Sequence, residues 1–155
     1  MALLVLAIAG LAIATTQDAK PKPKITNSST LACGPYKNDK TIVINGSAIK
    51  AEVVSNKADL QKGLGGRPCI LPNQGMLFEF DKPGIISIWM KDMKFPIDVI
   101  WINTDHKVAA AEIDLKPSTY PDKFINRDHP AQYVLELKAN RAKELGLNIG
   151  SAINF

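Results

Sequence analysis

Apolar and polar residues alternate in short runs from residue 41 onward, and this alternation predicts β-strands. The Asn45-Gly46 dipeptide separates the first two runs and is a strong hairpin signal. The runs at residues 85–90 and 97–102 are predicted to pair as neighbouring strands. The complete set of predicted strands covers residues 41–44, 48–54, 76–80, 85–90, 97–102, 108–115 and 132–137.

Two short helices are predicted between the strands. Asn56 followed by Asp59 has the spacing of a helix N-cap, and Gly65-Gly66 ends that helix. A second helix is predicted over residues 140–145, with Gly146 as its C-terminal cap. The predicted fold class is therefore α+β, with a barrel-like or strongly curved, mostly antiparallel sheet and two short helices.

The N-terminal segment predicts export. Residues 2–14 are apolar or glycine without interruption, which suits a signal peptide, whereas a bilayer of ~30 Å requires about 20 residues. Residues 1–14 are interpreted as a signal peptide or N-terminal membrane anchor of bacterial type. Residues 15–32, rich in Pro, Lys, Ser and Thr, are interpreted as a linker. Residues 33–155 then form one β-rich domain in an extracytoplasmic location: secreted, periplasmic, or membrane-anchored and facing outside.

Composition and charge point to a globular domain. Hydrophobic residues make up 46% and charged residues 22% of the chain, and the formal net charge is +4. The lysines are spread along the sequence and no nucleic-acid-binding motif accompanies them, so no nucleic-acid partner is expected. Membrane contact is expected through the N-terminal segment alone.

Cys33 and Cys69 are the two cysteines of the chain. In an oxidising compartment they could form a disulfide that closes a loop of roughly 36 residues, although two unrelated thiols are an equally good interpretation. With two histidines at unsuitable spacings, the chain does not supply a four-ligand zinc site. No cofactor and no metal are predicted.

Four segments, read in order, resemble one known family: residues 63–67, 75–80, 89–98 and 130–137. With them the sequence is similar to the domain-of-unknown-function family 192, a family of uncharacterised conserved membrane or secreted proteins, over roughly residues 41–155. The resemblance implies an extracytoplasmic β-rich fold but supplies no reaction. The family typically has Arg at the position of Lys62 and Asn at that of Asp92, so a role that needs a guanidinium at residue 62 is in doubt.

The predicted strand at residues 97–102 carries the first candidate site. Asp98 shares a strand face with Ile100 and Ile102, and an unpaired carboxylate buried there would cost several kcal/mol. Lys91 and Arg67 are the expected partners. The functional interpretation is a polar pocket of Arg67, Lys91 and Asp98 beside Trp89; the structural alternative is a salt bridge or a turn cap that stabilises the fold.

A long segment without periodicity, residues 116–130, carries the second candidate site. It contains Tyr120 and Arg127, which could stack on a ring and bind an anion. Loops of this length often bind ligands.

The favoured function is a noncatalytic binding or accessory module at the cell envelope, with an unknown envelope ligand or protein as its partner. One alternative is an envelope hydrolase that acts on a glycan or peptide through Asp98 or through Glu112 and Asp114, which are predicted to share one strand face. Another is a structural or partner-binding domain without a small ligand. The sequence leaves enzymatic activity open.

Overall fold

The computed structural model describes residues 33–155, so the predicted export segment and linker, residues 1–14 and 15–32, lie outside the described residues. The helices are α1 (Lys57–Lys62) and α2 (Arg141–Glu144), and a short 3-10 helix spans Pro117–Thr119. The strands are β1 (Lys40–Ile44), β2 (Ser47–Val54), β3 (Gln74–Gly84), β4 (Ser87–Ile88), β5 (Ile97–Ile102), β6 (Val108–Leu115), β7 (Phe124–Ile125) and β8 (Ala131–Lys138).

Six of the strands form one mixed sheet in the order β1-β2-β3-β8-β5-β6. Neighbouring strands are antiparallel except β2 and β3, which run parallel. Parallel neighbours cannot be joined by a tight turn and need a crossover connection. Residues 55–73 form this connection, here called the crossover, and α1 lies within it. The prediction of a mostly β fold with two short helices is confirmed.

Local signals predicted the first hairpin and the first helix correctly. Asn45 and Gly46 have φ angles of 46° and 78°, and two successive positive φ values are what a type I′ hairpin turn requires. The Asn56 side chain accepts a hydrogen bond from the Asp59 backbone N–H at 3.0 Å, which caps α1. The helix ends at Gly63, with φ of 49°, slightly before the predicted Gly65-Gly66.

The predicted pairing of residues 85–90 with residues 97–102 is wrong. β4 is short and pairs with β7, while β5 lies between β6 and β8. All six residues of β5 are buried, so this strand has a neighbour on each side and a covered surface on each face. β7 belongs to the long segment at residues 116–130, which is therefore less irregular than the sequence predicts.

Each face of the sheet packs against its own apolar cluster. Along β5, Val99 and Trp101 belong to one cluster, while Ile100 and Ile102 belong to the other. The alternation predicted for this strand is thus confirmed. The face of the sheet that carries Val99 and Trp101 is here called the crossover face. It also contains Phe78, and Leu64 of the crossover packs against it.

Within residues 33–155 the six-stranded sheet does not close into a barrel, so the barrel-like prediction is confirmed only in part. The C-terminal segment instead contacts both sheet edges. Val43 of β1 and Asn154 exchange two backbone hydrogen bonds of 2.8 and 3.3 Å. At the other edge, the backbone N–H of Val108 in β6 donates to the carbonyl of Ser151 at 2.9 Å. The last residues therefore satisfy edge groups that would otherwise be available for pairing with another chain.

Cys33 and Cys69 form a disulfide, with their Cα atoms 4.8 Å apart. The bond joins the first described residue to the end of the crossover. In the chain-entropy description, closing a loop of this sequence separation, 36 residues, stabilises the folded state by about 3–4 kcal/mol.

We expect the double variant Cys33→Ser/Cys69→Ser to lower the free energy of unfolding by about 2–4 kcal/mol, because the unfolded chain gains the freedom that the bond removes. Urea titration of the purified protein measures this change. Wild-type protein treated with dithiothreitol is the matched control and should unfold at the same urea concentration as the variant. Equal midpoints for the oxidised wild type and the variant would contradict the prediction.

Candidate functional site

Two carboxylic acids lie in one row across the crossover face. Glu52 of β2 is in register with Met76 of β3, and Met76 is in register with Glu136 of β8. Because neighbouring strands lie about 4.8 Å apart, the backbones of Glu52 and Glu136 are separated by roughly 10 Å. Glu52 is 8% exposed and Glu136 is 5% exposed. Buried acids of this kind require compensation or a change of protonation state.

Glu52 is compensated by a cation from the crossover. Its Oε1 accepts a hydrogen bond from Arg67 Nη2 at 2.8 Å, and the Arg67 guanidinium lies 5.9 Å from the centroid of the Tyr36 ring. The Tyr36 hydroxyl donates to the Lys50 carbonyl at 2.7 Å and accepts from the Glu52 backbone N–H at 3.1 Å. Burial raises the pKa of Tyr36, which keeps this hydroxyl protonated. Arg67 therefore has a structural partner before any ligand is considered.

Glu136 is not compensated in this way. Its Oε2 has no hydrogen-bond partner within the described part of the chain. Burial raises the pKa of Glu136 to about 8, and the positive charge of Arg67 only partly opposes this increase. At neutral pH the side chain is therefore mostly a neutral carboxylic acid with a proton to donate. Strongly shifted pKa values concentrate at functional sites, so Glu136 is the strongest candidate for a functional residue.

A small cavity of about 50 Å³ lies beside Glu136. Gly63, Phe78 and Met93 contribute to its lining. A Cβ atom added to Gly63 would lie 3.1 Å from the Phe78 ring and 3.8 Å from Glu136 Oε2, so glycine keeps this space open. The volume is sufficient for water-sized polar groups.

An open cleft of about 500 Å³ adjoins the cavity, and the two share four lining residues: Gln61, Lys62, Trp89 and Lys91. One wall of the cleft is α1 with the following glycine loop, residues 63–67, and the other is the turn at residues 89–92. Volumes of 300–1,000 Å³ are typical of small-molecule sites. The cleft is therefore large enough for a small ligand, with the cavity as an extension toward Glu136.

Glycine holds the two walls together. The Gly66 backbone N–H donates to the Asp92 carbonyl at 2.8 Å. A Cβ atom added to Gly65 would lie 2.8 Å from the Lys62 carbonyl oxygen and 3.2 Å from that of Lys91. A side chain at residue 65 would thus push the walls apart, because neither contact is with the flexible end of a side chain.

The cleft combines an aromatic surface with an excess of positive charge. Trp89 is 41% exposed, and Lys91 Nζ lies 5.8 Å from the centroid of its ring system. Lys62 and Lys91 line the cleft and form no ion pair with any described residue. Of the described residues that line the cleft, Asp92 alone is acidic.

The structure brings together part of the site predicted from the sequence. Trp89 and Lys91 line the cleft, and Arg67 lies behind the glycine loop, where it is paired with Glu52. Tyr120 packs edge-on against Trp89, with 6.2 Å between ring centroids. Arg127 is exposed and lines neither the cavity nor the cleft.

Asp98 does not belong to this site, which corrects the predicted Arg67–Lys91–Asp98 pocket. The residue is fully buried on the opposite face of the sheet from Trp101 and the crossover. Its carboxylate accepts three backbone hydrogen bonds of 2.8–2.9 Å, from Asp114, Asn140 and Ala142. The structural alternative, a cap that stabilises the fold, is therefore the correct one for Asp98.

Glu112 and Asp114 do not form the predicted same-face pair. A β-bulge interrupts the pairing of β5 with β6 between Leu115 and Glu112, and Asp114 has a φ of 58°. A bulge adds a residue and breaks strand alternation. Asp114 is paired with Lys116 Nζ at 2.7 Å, while Glu112 is exposed.

The sequence reasoning missed Glu136, although a signal for it was present. The β8 segment Tyr133-Val134-Leu135-Glu136-Leu137 places one acid inside an otherwise apolar run. Because β8 lies between β3 and β5, such an acid is buried in the middle of the sheet. The order of the strands was needed to recognise this.

Within residues 33–155 no group of three or more His, Cys, Asp or Glu side chains is arranged to hold a metal ion. None of the helices described is both long and apolar enough to cross a membrane.

Residues 40–155 match the domain-of-unknown-function family 192, described as "Uncharacterized ACR". The match covers more than half of the chain, and the protein belongs to this family. The family resemblance inferred from the sequence motifs is thereby confirmed. No curated protein matches the chain.

Two solved structures have the same fold. One is described as a "putative transcription regulator" from Sinorhizobium meliloti; it is 26% identical with a TM-score of 0.69, and the alignment covers 78% of this chain and 97% of that one. The other is a protein of unknown function from Novosphingobium aromaticivorans, 20% identical with a TM-score of 0.70, aligned over 86% of this chain and 100% of that one. The second likeness concerns the fold alone.

Proposed function

We propose that this protein is a noncatalytic binding module whose small ligand occupies the cleft between α1 and the turn at residues 89–92. The observation that carries the proposal is Glu136, a buried acid whose Oε2 has no hydrogen-bond partner among residues 33–155 and which lies beside a cavity that adjoins the cleft. A buried polar group without a partner destabilises the folded protein, so its presence calls for an explanation. A ligand that supplies the missing hydrogen-bond partner would provide this explanation.

Binding is better supported than hydrolysis. Glycoside hydrolysis requires two carboxyl groups on either side of the scissile bond. The candidates considered from the sequence lie elsewhere, since Asp98 is saturated by backbone N–H groups and Glu112 and Asp114 are outside the cleft. Glu52, the acid in the same row as Glu136, is held by Arg67.

We further propose that the module works outside the cytoplasm, at the cell envelope, with membrane contact through its N-terminal segment. The disulfide supports this location because such bonds persist in oxidising compartments. The apolar residues 2–14 support it as an export signal. A role in transcription is not proposed, because the helices described here span six and four residues, too short for a recognition helix in the major groove.

The test is a thermal-shift screen of the purified protein against envelope glycans, muropeptides, nucleotides and divalent metals. A ligand present at about 100 times its dissociation constant adds roughly 2.7 kcal/mol of stability, which raises the melting temperature by several degrees. We expect Trp89→Ala and Lys91→Ala to abolish the shift. Lys94→Ala, which removes an exposed lysine near the same turn but outside the lining of the cleft, is the matched control.

Two results would contradict the proposal. A shift that survives both cleft variants would place the ligand elsewhere on the protein. An unchanged melting temperature across the whole panel would favour a protein partner over a small ligand.

A further inference from the structure

Building on the proposed function, we infer the class of ligand: a sugar unit with an acidic substituent. The acidic group, a carboxylate or a phosphate, lies between Lys62 and Lys91. The sugar ring stacks on Trp89, and one of its oxygen atoms accepts a hydrogen bond from the Glu136 carboxylic acid through the adjoining cavity.

The charges of the cleft select an anion. Lys62 and Lys91 line it from opposite walls, and neither has an ion-pair partner within the described residues. Asp92 offsets one of these two charges. A cationic ligand would meet two ammonium groups, whereas an anion gains charge-assisted hydrogen bonds from both walls.

Trp89 indicates that the ligand contains a ring. This side chain lines the cleft and is 41% exposed, so its ring is accessible to a ligand. Tyr120 packs against it edge-on and restricts its orientation. A sugar ring presents C–H groups to an aromatic face and hydroxyl groups at its edge, so it matches a wall that is apolar beside lysine, glutamine and aspartate side chains.

Glu136 favours a ligand that has a hydrogen-bond acceptor close to its negatively charged group. As a neutral acid it can donate one hydrogen bond to a hydroxyl or carbonyl oxygen without repelling the anion. An ionised Glu136 would lose the proton and add a like charge. The charged groups near it are Arg67, which lowers its pKa, and Lys62 and Lys91, which line the same cavity, while Glu52 lies in the same row on β2.

N-acetylmuramic acid and N-acetylglucosamine are a matched pair of probes, because they share the ring and the acetamide and differ in one carboxylate-bearing ether. Titration of the purified protein, followed by NMR, measures both dissociation constants. We expect the acidic sugar to bind about tenfold or more tightly, a difference set by the two lysines. N-acetylglucosamine 6-phosphate distinguishes a phosphate-binding from a carboxylate-binding site.

The variants assign the effect to particular residues. Lys62→Ala and Lys91→Ala should each reduce the preference for the acidic sugar, whereas Lys94→Ala should have no effect. Glu136→Gln keeps a neutral donor, so it should retain affinity near pH 7. The wild type should lose affinity as the pH rises from about 7 to about 9, and the Gln variant should not.

The outcomes separate this inference from the proposed function. Equal affinity for the neutral and acidic sugars would overturn the ligand class while leaving the cleft as the binding site. If no compound binds, or if Trp89→Ala and Lys91→Ala do not weaken the binding that is seen, both the ligand class and the proposed function would be overturned. A preference for an acidic sugar that Lys91→Ala removes would support both.

Discussion

Asp98→Ala is expected to lower the free energy of unfolding by about 3–5 kcal/mol, because it leaves three backbone N–H groups without their buried acceptor. Asp98 connects three parts of the fold through these bonds: β5, the bulged end of β6, and the first turn of α2. Asp98→Asn should also destabilise, since its amide can accept through one oxygen and presents N–H groups to other donors. Urea titration with circular dichroism measures the change.

Glu112→Ala is the matched control, because it removes an exposed carboxylate from the neighbouring strand and should change stability by less than about 0.5 kcal/mol. A loss of less than about 1 kcal/mol for Asp98→Ala would show that the three hydrogen bonds are replaced by water or are weak. Ligand binding to the folded variant should persist, since Asp98 lies on the opposite face of the sheet from the cleft.

Glu136 is expected to make the protein less stable as the pH rises. Burial raises the pKa of Glu136 from 4.5 to about 8 in the folded state. Between these two values the folded protein holds a proton that the unfolded chain has released, so the free energy of unfolding falls by about 1.4 kcal/mol per pH unit. The stabilisation is complete below pH 4.5 and is lost as the pH rises through about 8.

Glu136→Gln should remove this slope, because the amide stays neutral and similar in shape. The variant and the wild type should be similarly stable near the acidic end of the window, and above about pH 8 the variant should be more stable by a few kcal/mol. The measurement is the difference between the two unfolding free energies as a function of pH, in which the titration of groups common to both proteins cancels. Glu112→Gln removes an exposed carboxylate as a control. A flat difference for Glu136→Gln would mean that Glu136 is ionised in the folded protein throughout this range.

The candidate site illustrates the limits of sequence reasoning. Lys91 was predicted as a partner of Asp98 and Trp89 as a wall of the same pocket, and the structure places both in the cleft. Asp98 was assigned to the same pocket because the segments around it were expected to pair, which they do not. A hydrophobic run indicates that a segment is a strand, but the identity of its neighbours depends on residues far away in the chain.

The sequence by itself determined the features that depend on a few adjacent residues. These are the Asn45-Gly46 hairpin, the Asn56 cap of α1, the alternation of β5 and the family membership carried by short motifs. Only the tertiary structure decided that Glu52 and Glu136 lie in one row, that the crossover covers this row, and that Arg67 pairs with Glu52 while burial raises the pKa of Glu136. The physical reason is that turn dihedral angles and caps are local, whereas burial and pKa are set by whichever strands and loops the whole fold brings together.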